Sequence, residues 1–434
     1  MRIVIRSPTA EGARAARDKL HSAGVQGAVF GVDPFSAPDG EEISLIDATG
    51  AARGAAHEIA RALAEAPNRP SSIVAGVEWT RPPVAGLARG YGLDAWIPLD
   101  APPALLARHL SAIERASIAQ EERARRRATA ETLGLEVPER RDRALLKCLY
   151  IGAPSRFFLA LERTFAAHRG LVTAAFTSFT GFDHLHDEAF EAVVINGVED
   201  TSTAIALCAA LRRNAGLHHL PTLVVTRPGD AATEAAAIDR GAAAVATEDA
   251  APEIGLAWLF EAIRRERERR GVERDLASLR ERLGDGGTGL WSTPHFEAHL
   301  RRLTHDHHAT GRDLSLVALK VLPAHGAREP TQSVWRRTFR EAATLAGRLI
   351  RDADSAAAFG RDLILVALPA TALSGARRTS ERMAAVGECT AFAGGEGGAP
   401  LVFEQSSVEL QDGESAAALM ARAIAPFMPR GAMA

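Results

Sequence analysis

Short apolar runs alternate with helical stretches over the first two thirds of this sequence, and the whole alternation occurs twice. The first set of runs reads RIVI, GAVF, ISLID, SSIVAGV and DAWIPL. The second set, after residue 145, reads LKCLYI, LVTAAF, AVVIN, PTLVVT and AAVAT. Strands that alternate with helices form β-α-β units, in which helices cover both faces of a parallel sheet. The sequence therefore predicts two tandem α/β domains, each with a doubly wound parallel sheet.

Composition excludes several classes of protein. A chain of 434 residues is long enough for about three domains. The formal charge of −3 gives no electrostatic reason to expect nucleic acid as a partner. The sequence contains no run of about 18 apolar residues, so we predict no membrane span. The first residues lack the apolar core of a signal peptide, and we therefore expect a cytoplasmic protein. Three widely spaced cysteines indicate neither a disulfide framework nor a zinc site.

Two charged stretches separate the predicted domains. The first, residues 114–134, is polar and predicts a solvated helix or connector. The second carries Val272, Leu276, Leu279 and Leu283 at 4-3-4 spacing. This seam of about two heptads is a candidate contact between protomers, and we expect a homodimer. The predicted domains are residues 1–134, 140–283 and 286–434.

The two α/β domains resemble the receiver domains of response regulators, which take a phosphoryl group on an aspartate. Asp47 ends the strand ISLID and is the candidate phosphoacceptor of the first domain. The positions that would hold the metal-binding acids, the hydroxyl residue and the lysine carry instead Arg6 and Ser7, Ala75 or Gly76, and Leu99. Without acidic ligands a divalent cation has little reason to bind. Asp47 also fits a plain structural role, as a strand-end carboxylate that caps the next segment.

The second receiver-like domain departs further from the family pattern. Asn196 stands at the acceptor position and Glu248 at the lysine position, while Thr226 alone matches the family. We expect that this domain cannot be phosphorylated. Receivers that cannot switch usually serve as docking or dimerisation modules, and the resemblance implies that use here.

The last third of the chain resembles the GGDEF domain of diguanylate cyclases, and the resemblance implies an α+β fold of the nucleotidyl-cyclase type. Thr288, Gly289 and Leu290 match its opening T-G-L, and the segment 296–300 matches F-E-x-H-L. The signature itself falls on Gly360, Arg361, Asp362, Leu363 and Ile364. This vestigial signature keeps one acid, whereas cyclisation of GTP needs two carboxylates to hold metal ions.

The second carboxylate of that metal site is also missing. It belongs at the end of the strand SLVALK, where this chain has Lys320. Arg336 stands near the family's guanine-binding Asp, and Arg361 replaces a glycine beside the phosphates. The resemblance therefore implies a domain that holds no metal and has lost catalysis.

A second family motif is retained. Arg351 and Asp354 form R-x-x-D, with Asp354 six residues before Gly360. Arg382 lies 22 residues after Gly360, where the family has a third ligand-binding arginine. A guanidinium can fork onto guanine O6 and N7 or onto a phosphate, and a carboxylate can accept the guanine N1 and N2 hydrogens. The resemblance implies a cyclic di-GMP site, although Arg351 and Asp354 also fit a surface ion pair.

The site has one further departure from the family. The arginine that a dimer partner contributes in related proteins falls on Asp306, and Arg302, one turn earlier, is the candidate substitute. The resemblance implies a non-catalytic cyclic di-GMP effector that moves to a cell pole and works with an adaptor of the ClpXP protease pathway in cell-cycle control. Two alternatives stay open: a ligand-independent receiver scaffold and an active diguanylate cyclase.

Overall fold

The computed structural model describes residues 3–25, 28–31, 34–35, 43–66, 70–82, 92–137, 145–249, 251–325, 329–392 and 400–428. The chain divides into two compact units. The first comprises Met1–Ser117 and Arg141–Arg270, and the second comprises Ile118–Arg140 and Gly271–Ala434. In the part of the chain that is described, no helix is both long and apolar enough to cross a membrane.

The first sheet of the first unit is parallel, in the order β2-β1-β3-β4-β5. Its strands are β1 (Ile3–Arg6), β2 (Ala28–Phe30), β3 (Ile43–Asp47), β4 (Ser72–Val77) and β5 (Ala95–Pro98). Its helices are α1 (Ala10–Ser22), α2 (Arg53–Glu65) and the first part of α3 (Pro103–Thr132). Strands β1, β3 and β4 are buried along their whole length, because helices cover both faces of a doubly wound sheet.

The second sheet has the same order when it is read from its other edge, β7-β6-β8-β9-β10. Its strands are β6 (Lys147–Ile151), β7 (Leu171–Ala175), β8 (Ala192–Asn196), β9 (Thr222–Thr226) and β10 (Ala244–Thr247). The helices are α4 (Arg156–Ala167), α5 (Ser178–Asp187), α6 (Thr201–Arg213), α7 (Ala231–Asp239) and the first part of α8 (Pro252–Leu283). Both sheets have the order 2-1-3-4-5 of receiver-like folds, so the predicted doubly wound class is confirmed.

The two parallel sheets share one hydrophobic core inside the first unit. Trp79 stacks on Trp258 with ring centroids 5.2 Å apart, and the Trp258 indole N–H donates to the Trp79 carbonyl at 2.9 Å. The Arg108 guanidinium donates to the carbonyls of Ile238 and Ala242 at 2.8 and 3.2 Å. The two receiver-like domains are therefore packed together by apolar and polar contacts of the same chain.

The second unit contains a four-stranded antiparallel sheet in the order β12-β13-β11-β14. Its strands are β11 (Leu314–Pro323), β12 (Ser355–Phe359), β13 (Leu363–Pro369) and β14 (Leu401–Glu409). Its helices are α9 (Thr293–Thr310), α10 (Gln332–Leu349), α11 (Leu373–Glu388) and α12 (Ala416–Ile424). Successive β13 side chains alternate between two core clusters, so the sheet has apolar layers on both faces. The α+β class predicted for the last third is confirmed.

The second part of α3 belongs to the second unit and is not a solvated connector. Glu122, Arg126 and Thr129 are at most 1% exposed, and Arg125 is 7% exposed. Ala130 lies in the same core cluster as Leu279 and Leu283. The prediction of a solvated helix is therefore wrong. The prediction failed because it was based on the number of charges, whereas Glu122, Arg125 and Arg126 are buried.

The heptad seam packs inside the chain. Val272, Leu276, Leu279 and Leu283 are all at most 3% exposed. The two helical segments also pair through charge, since Asp275 lies 3.4 Å from Arg123 and 3.5 Å from Arg127. Because its apolar side chains are already covered, the seam is not a contact between protomers, and that interpretation is wrong.

The buried charges of α3 predict a response to acid. Burial alone would raise the pKa of Glu122, but His299, Arg126 and Arg125 lower that pKa to about 2. A depressed folded-state pKa adds stability above about pH 4.5, and that stability is lost as pH falls toward 2. A shift of this size corresponds to about 3 kcal/mol.

We expect Glu122→Gln to lower the urea midpoint of the second unit at pH 7, because it leaves Arg126 buried without a counter-charge. The midpoint should then fall less between pH 5 and 3 than it does in the wild type. Glu131→Gln, at an exposed position of the same helix, is the matched control. Equal urea midpoints for wild type and Glu122→Gln at pH 7 would contradict the assignment.

Candidate functional site

Arg351, Asp354 and Arg382 lie around one cavity of about 200 Å³. The cavity is formed where α10 ends, β12 begins, β13 ends and α11 passes. Its other lining residues are Leu349, Ile350, Leu368, Thr371 and Thr379. Arg382, which the sequence places 28 and 31 positions after the other two, is therefore their neighbour in the fold.

Arg351 and Asp354 are joined by a tight turn between α10 and β12. The Asp354 N–H donates to the Arg351 carbonyl at 3.0 Å, as in a β-turn. The Arg351 N–H donates in return to Asp354 Oδ2 at 2.8 Å. A carboxylate has about four lone-pair sites, so this bond leaves it acceptor capacity. The spacing R-x-x-D thus places the acid and the arginine at the two ends of one turn.

The cavity is lined by one buried acidic side chain and two exposed arginine side chains. Asp354 is 5% exposed, whereas Arg351 and Arg382 are exposed. Burial raises the pKa of Asp354 to about 6, against the lowering effect of the Arg351 N–H and of the Arg351 and Arg126 charges. Arg382 Nη2 donates to the Leu349 carbonyl at 3.0 Å, and its guanidinium has further N–H donors. The site suits a ligand that offers both hydrogen-bond donors and negative charge.

Arg302 does not line this cavity. Its Nη2 donates to Thr132 Oγ1 at 3.1 Å and to the Ala128 carbonyl at 3.3 Å. Asp306, at the family's arginine position, accepts from Arg125 Nε at 3.0 Å. Within the described chain both side chains face α3, and a contribution of Arg302 to a ligand site stays a prediction.

The vestigial signature forms the turn between β12 and β13. Gly360 begins it with φ of 63°, a left-handed conformation that glycine adopts without steric cost. The Asp362 carboxylate lies 4.0 Å from Lys320 Nζ, and the Asp362 carbonyl accepts from the Val321 N–H at 2.7 Å. The lysine therefore places a positive charge beside the acid that the signature retains. Among the described residues, no group of three His, Cys, Asp or Glu side chains is arranged to hold a metal ion.

Trp335 packs beside the same turn. Its indole N–H donates to the Arg361 carbonyl at 3.0 Å. In α10 the residue in contact with the turn is thus an aromatic side chain, and Arg336 follows it. Gly360, Arg361 and Asp362 form the turn, and Leu363 and Ile364 begin β13.

Asp47 is enclosed at the carboxyl end of β3. It is 3% exposed, and its two carboxylate oxygens accept from Ser7 Oγ at 2.9 Å and from Thr49 Oγ1 at 2.7 Å. A Cβ atom on Gly12 would stand 2.3 Å from Asp47 Oδ2, so α1 passes directly over the acid. Leu99 fills the neighbouring space beside Gly76. These contacts are those of a carboxylate that ties together its own loop and the start of α1.

At the corresponding position of the second sheet, the carboxyl end of β8, the Asn196 side chain forms two hydrogen bonds. Asn196 Nδ2 donates to the Ala153 carbonyl at 2.9 Å, and its Oδ1 accepts from the Val198 N–H at 3.2 Å. Gly152 has φ of 125° and lies against Asn196. Thr226 is fully buried, with its hydroxyl 3.5 Å from the Ala246 carbonyl.

Sequence reasoning missed Arg126, which contacts the turn that carries the candidate ligand residues. Its Nη2 donates to the carbonyls of Asp352 and Asp354 at 2.7 and 2.9 Å. The available signal was the helical face formed by Glu122, Arg126, Ala130 and Leu133, at spacings of four and three. Because half of that face is charged, a search for apolar periodicity does not find it.

Comparison with solved structures finds GGDEF domains and response regulator receiver domains. The GGDEF domain of DgcB from Caulobacter crescentus, in complex with cyclic di-GMP, is 22% identical and covers 33% of this chain and 84% of that chain, with a TM-score of 0.29. A putative response regulator from Chloroflexus aurantiacus is 16% identical and covers 28% of this chain and 99% of that chain, with a TM-score of 0.26. A CheY-like receiver domain protein from Methanospirillum hungatei is 14% identical and covers 29% of this chain and 98% of that chain, with a TM-score of 0.26. No protein-family model and no curated protein matches the chain.

The surroundings of Asp47 lead to a prediction about phosphorylation. We expect no phosphoryl adduct after incubation with acetyl phosphate and Mg²⁺, because both carboxylate oxygens are engaged and no acidic pair holds the metal. Intact-protein mass spectrometry of wild type and Asp47→Asn should give no phosphoryl mass increment for either. An increment present in wild type and absent from Asp47→Asn would contradict this prediction.

Proposed function

We propose that this protein is a non-catalytic cyclic di-GMP effector, which binds the dinucleotide through Arg351, Asp354 and Arg382. The observation that supports the proposal most directly is the convergence of these three side chains on one cavity. A buried carboxylate between two exposed guanidinium groups matches the donor edge of guanine and the phosphates of the dinucleotide. The GGDEF domain of DgcB was solved in complex with the same ligand.

The size of the cavity limits how the ligand is held. A pocket that encloses a whole drug-sized ligand measures about 300 Å³ or more. The cavity here is about 200 Å³, which suits one base and not the whole dinucleotide. In the proposed complex one guanine presents its N1 and N2 hydrogens to Asp354, beside the apolar side chains of Leu349 and Leu368. The two arginines then contact guanine O6 and N7 or the phosphates.

The absence of catalysis belongs to the same proposal. Lys320 lies 4.0 Å from the Asp362 carboxylate, at the place where the family needs two acids for metal ions. Without those metal ions nothing activates the 3′-hydroxyl of GTP or neutralises the triphosphate. The hairpin is therefore proposed to be a structural remnant next to a working ligand site.

In its domain order and lost catalytic residues the chain resembles PopA, the non-catalytic relative of the cyclase PleD. On that resemblance we propose that the receiver-like domains dock protein partners, among them an adaptor of the ClpXP pathway, at the cell pole, and that the protein acts as a homodimer. Ligand binding would act by favouring one arrangement of the protein over another. It can shift such an equilibrium only as far as its affinities for the two arrangements differ.

Two alternative functions, a scaffold and a cyclase, require different experimental results. A ligand-independent scaffold requires that cyclic di-GMP leave partner capture unchanged. An active diguanylate cyclase requires conversion of GTP to cyclic di-GMP with Mg²⁺, despite Lys320 and Arg361. Of the two, the scaffold fits the residues around the hairpin better, because a scaffold does not require them to be catalytic.

Calorimetric titration of the full chain with cyclic di-GMP tests the ligand site. Arg351→Ala should weaken binding about 10- to 100-fold, because a charge-assisted hydrogen bond is removed. Arg348→Ala, at an exposed arginine near the end of α10 and three residues before Arg351, is the control and should bind like wild type. Equal affinity of wild type and Arg351→Ala, or no binding by wild type, would rule the site out.

The raised pKa of Asp354 gives the proposal a pH dependence. As pH falls through about 6, the carboxylate becomes a neutral carboxyl and loses an acceptor, so affinity should fall by up to about tenfold per pH unit below that value. Arg351, Arg126, Arg280 and Glu122 are the charged groups that act on it. Titrations between pH 5 and 8 should give constant affinity above about pH 7. Asp354→Asn should bind weakly with no such dependence, and a dependence that survives in this variant would contradict the role of Asp354.

A further inference from the structure

A buried arginine, Arg126, holds the backbone of the turn that carries Arg351 and Asp354. Its side chain is 1% exposed. A single nitrogen, Nη2, donates to the carbonyls of Asp352 and Asp354 at 2.7 and 2.9 Å. Arg126 does not line the cavity, so it contacts the turn without occupying the space proposed for the ligand.

Arg126 is itself held from three sides. Its Nε donates to Glu122 Oε1 at 2.7 Å, and its Nη1 lies 3.5 Å from the Leu276 carbonyl. Its guanidinium lies over the ring of Trp291, 5.3 Å from the centroid. The backbone N–H of Trp291 in turn donates to the Ala356 carbonyl at 2.8 Å, just beyond the turn. The guanidinium therefore has little freedom to follow a turn that moves.

The counter-charge of Arg126 is also fixed. Glu122 is fully buried, and its Oε1 lies 2.9 Å from His299 Nε2. His299 Nδ1 lies 3.1 Å from Thr129 Oγ1 on the same face of α3. A buried guanidinium without such a partner would strongly destabilise the fold. The pair Glu122 and Arg126 thus keeps a planar, five-donor group in one orientation under the turn.

We propose that Arg126 is a positioning residue for the cyclic di-GMP site, holding the 351–354 turn so that Asp354 and Arg351 face the ligand together. The inference rests on the proposed function and adds to it a residue from the helix between the first two predicted domains. The ends of this four-residue turn are set by α10 and by the pairing of Ser355 with Ala367 in the sheet. The two bonds from Arg126 add a constraint between these ends, because they hold the carbonyls of Asp352 and Asp354.

A purely structural role would lower the stability of the second unit without a specific effect on the ligand site. The experiment therefore measures affinity and local order separately. Full-length wild type, Arg126→Met and Arg126→Lys are titrated calorimetrically with cyclic di-GMP, at a temperature where circular dichroism finds each folded. Hydrogen exchange of the ligand-free proteins is followed on peptides that contain residues 351–355.

We expect Arg126→Met to bind about tenfold more weakly or worse, with faster exchange in the turn, because two hydrogen bonds donated by a charged nitrogen are lost. Arg126→Lys should not restore wild-type affinity, since the single nitrogen of lysine cannot take the Nε position beside Glu122 and the Nη2 position beside the turn at once. Arg127→Met is the matched control, because its guanidinium pairs with Asp275, 3.5 Å away, and it should bind like wild type.

The double variant Glu122→Gln/Arg126→Met covers the case in which Arg126→Met does not fold, because it removes both members of the buried pair. Weaker binding by the folded double variant supports the inference. Wild-type affinity in folded variants that lack Arg126 overturns it and leaves the ligand site intact. If wild type itself does not bind cyclic di-GMP, the proposed function fails, and unchanged exchange in the turn would separately show that Arg126 does not order it.

Discussion

The second unit depends on the neutralisation of charges that its own core encloses. Arg126 and Glu122 are at most 1% exposed and are joined by a 2.7 Å hydrogen bond. A single member of such a pair left in the interior would cost several kcal/mol, so each charge depends on its partner for a stable buried position. This requirement makes the segment 118–132 an integral part of the second unit. It also puts a guanidinium beside the turn on which the candidate ligand site is built.

The candidate ligand site and the turn between β12 and β13 lie at opposite ends of one short strand. The 351–354 turn leads into β12, and the 360–362 turn leaves it. At one end a buried carboxylate faces two exposed guanidinium groups, and at the other a lysine lies beside the remaining acid. Since each end is built from different side chains, one can lose its chemistry while the other keeps its geometry. This separation is the physical basis for proposing a sensor where the fold resembles that of an enzyme.

Much of the fold followed from the sequence because it depends on local periodicity. Strands such as ISLID and AVVIN are short apolar runs between helices, and both predicted parallel sheets are present. The same reasoning misjudged residues 114–134, where Glu122 and Arg126 look like surface residues to any measure of polarity. It also assigned the seam that includes Leu279 and Leu283 to a second protomer, because a heptad pattern specifies an apolar stripe and not what covers it.

By itself the sequence determined which residues carry side chains that can bind a ligand. It placed Arg351 and Asp354 three residues apart, and the family resemblance led us to expect that Lys320 replaces a metal-binding acid. The tertiary structure alone decided that Arg382 shares a cavity with them and that Arg126 supports their turn. The physical reason is that ligand capacity is a property of each side chain. Burial, charge pairing and the raised pKa of Asp354, in contrast, arise only when segments distant in the chain exclude water from one another.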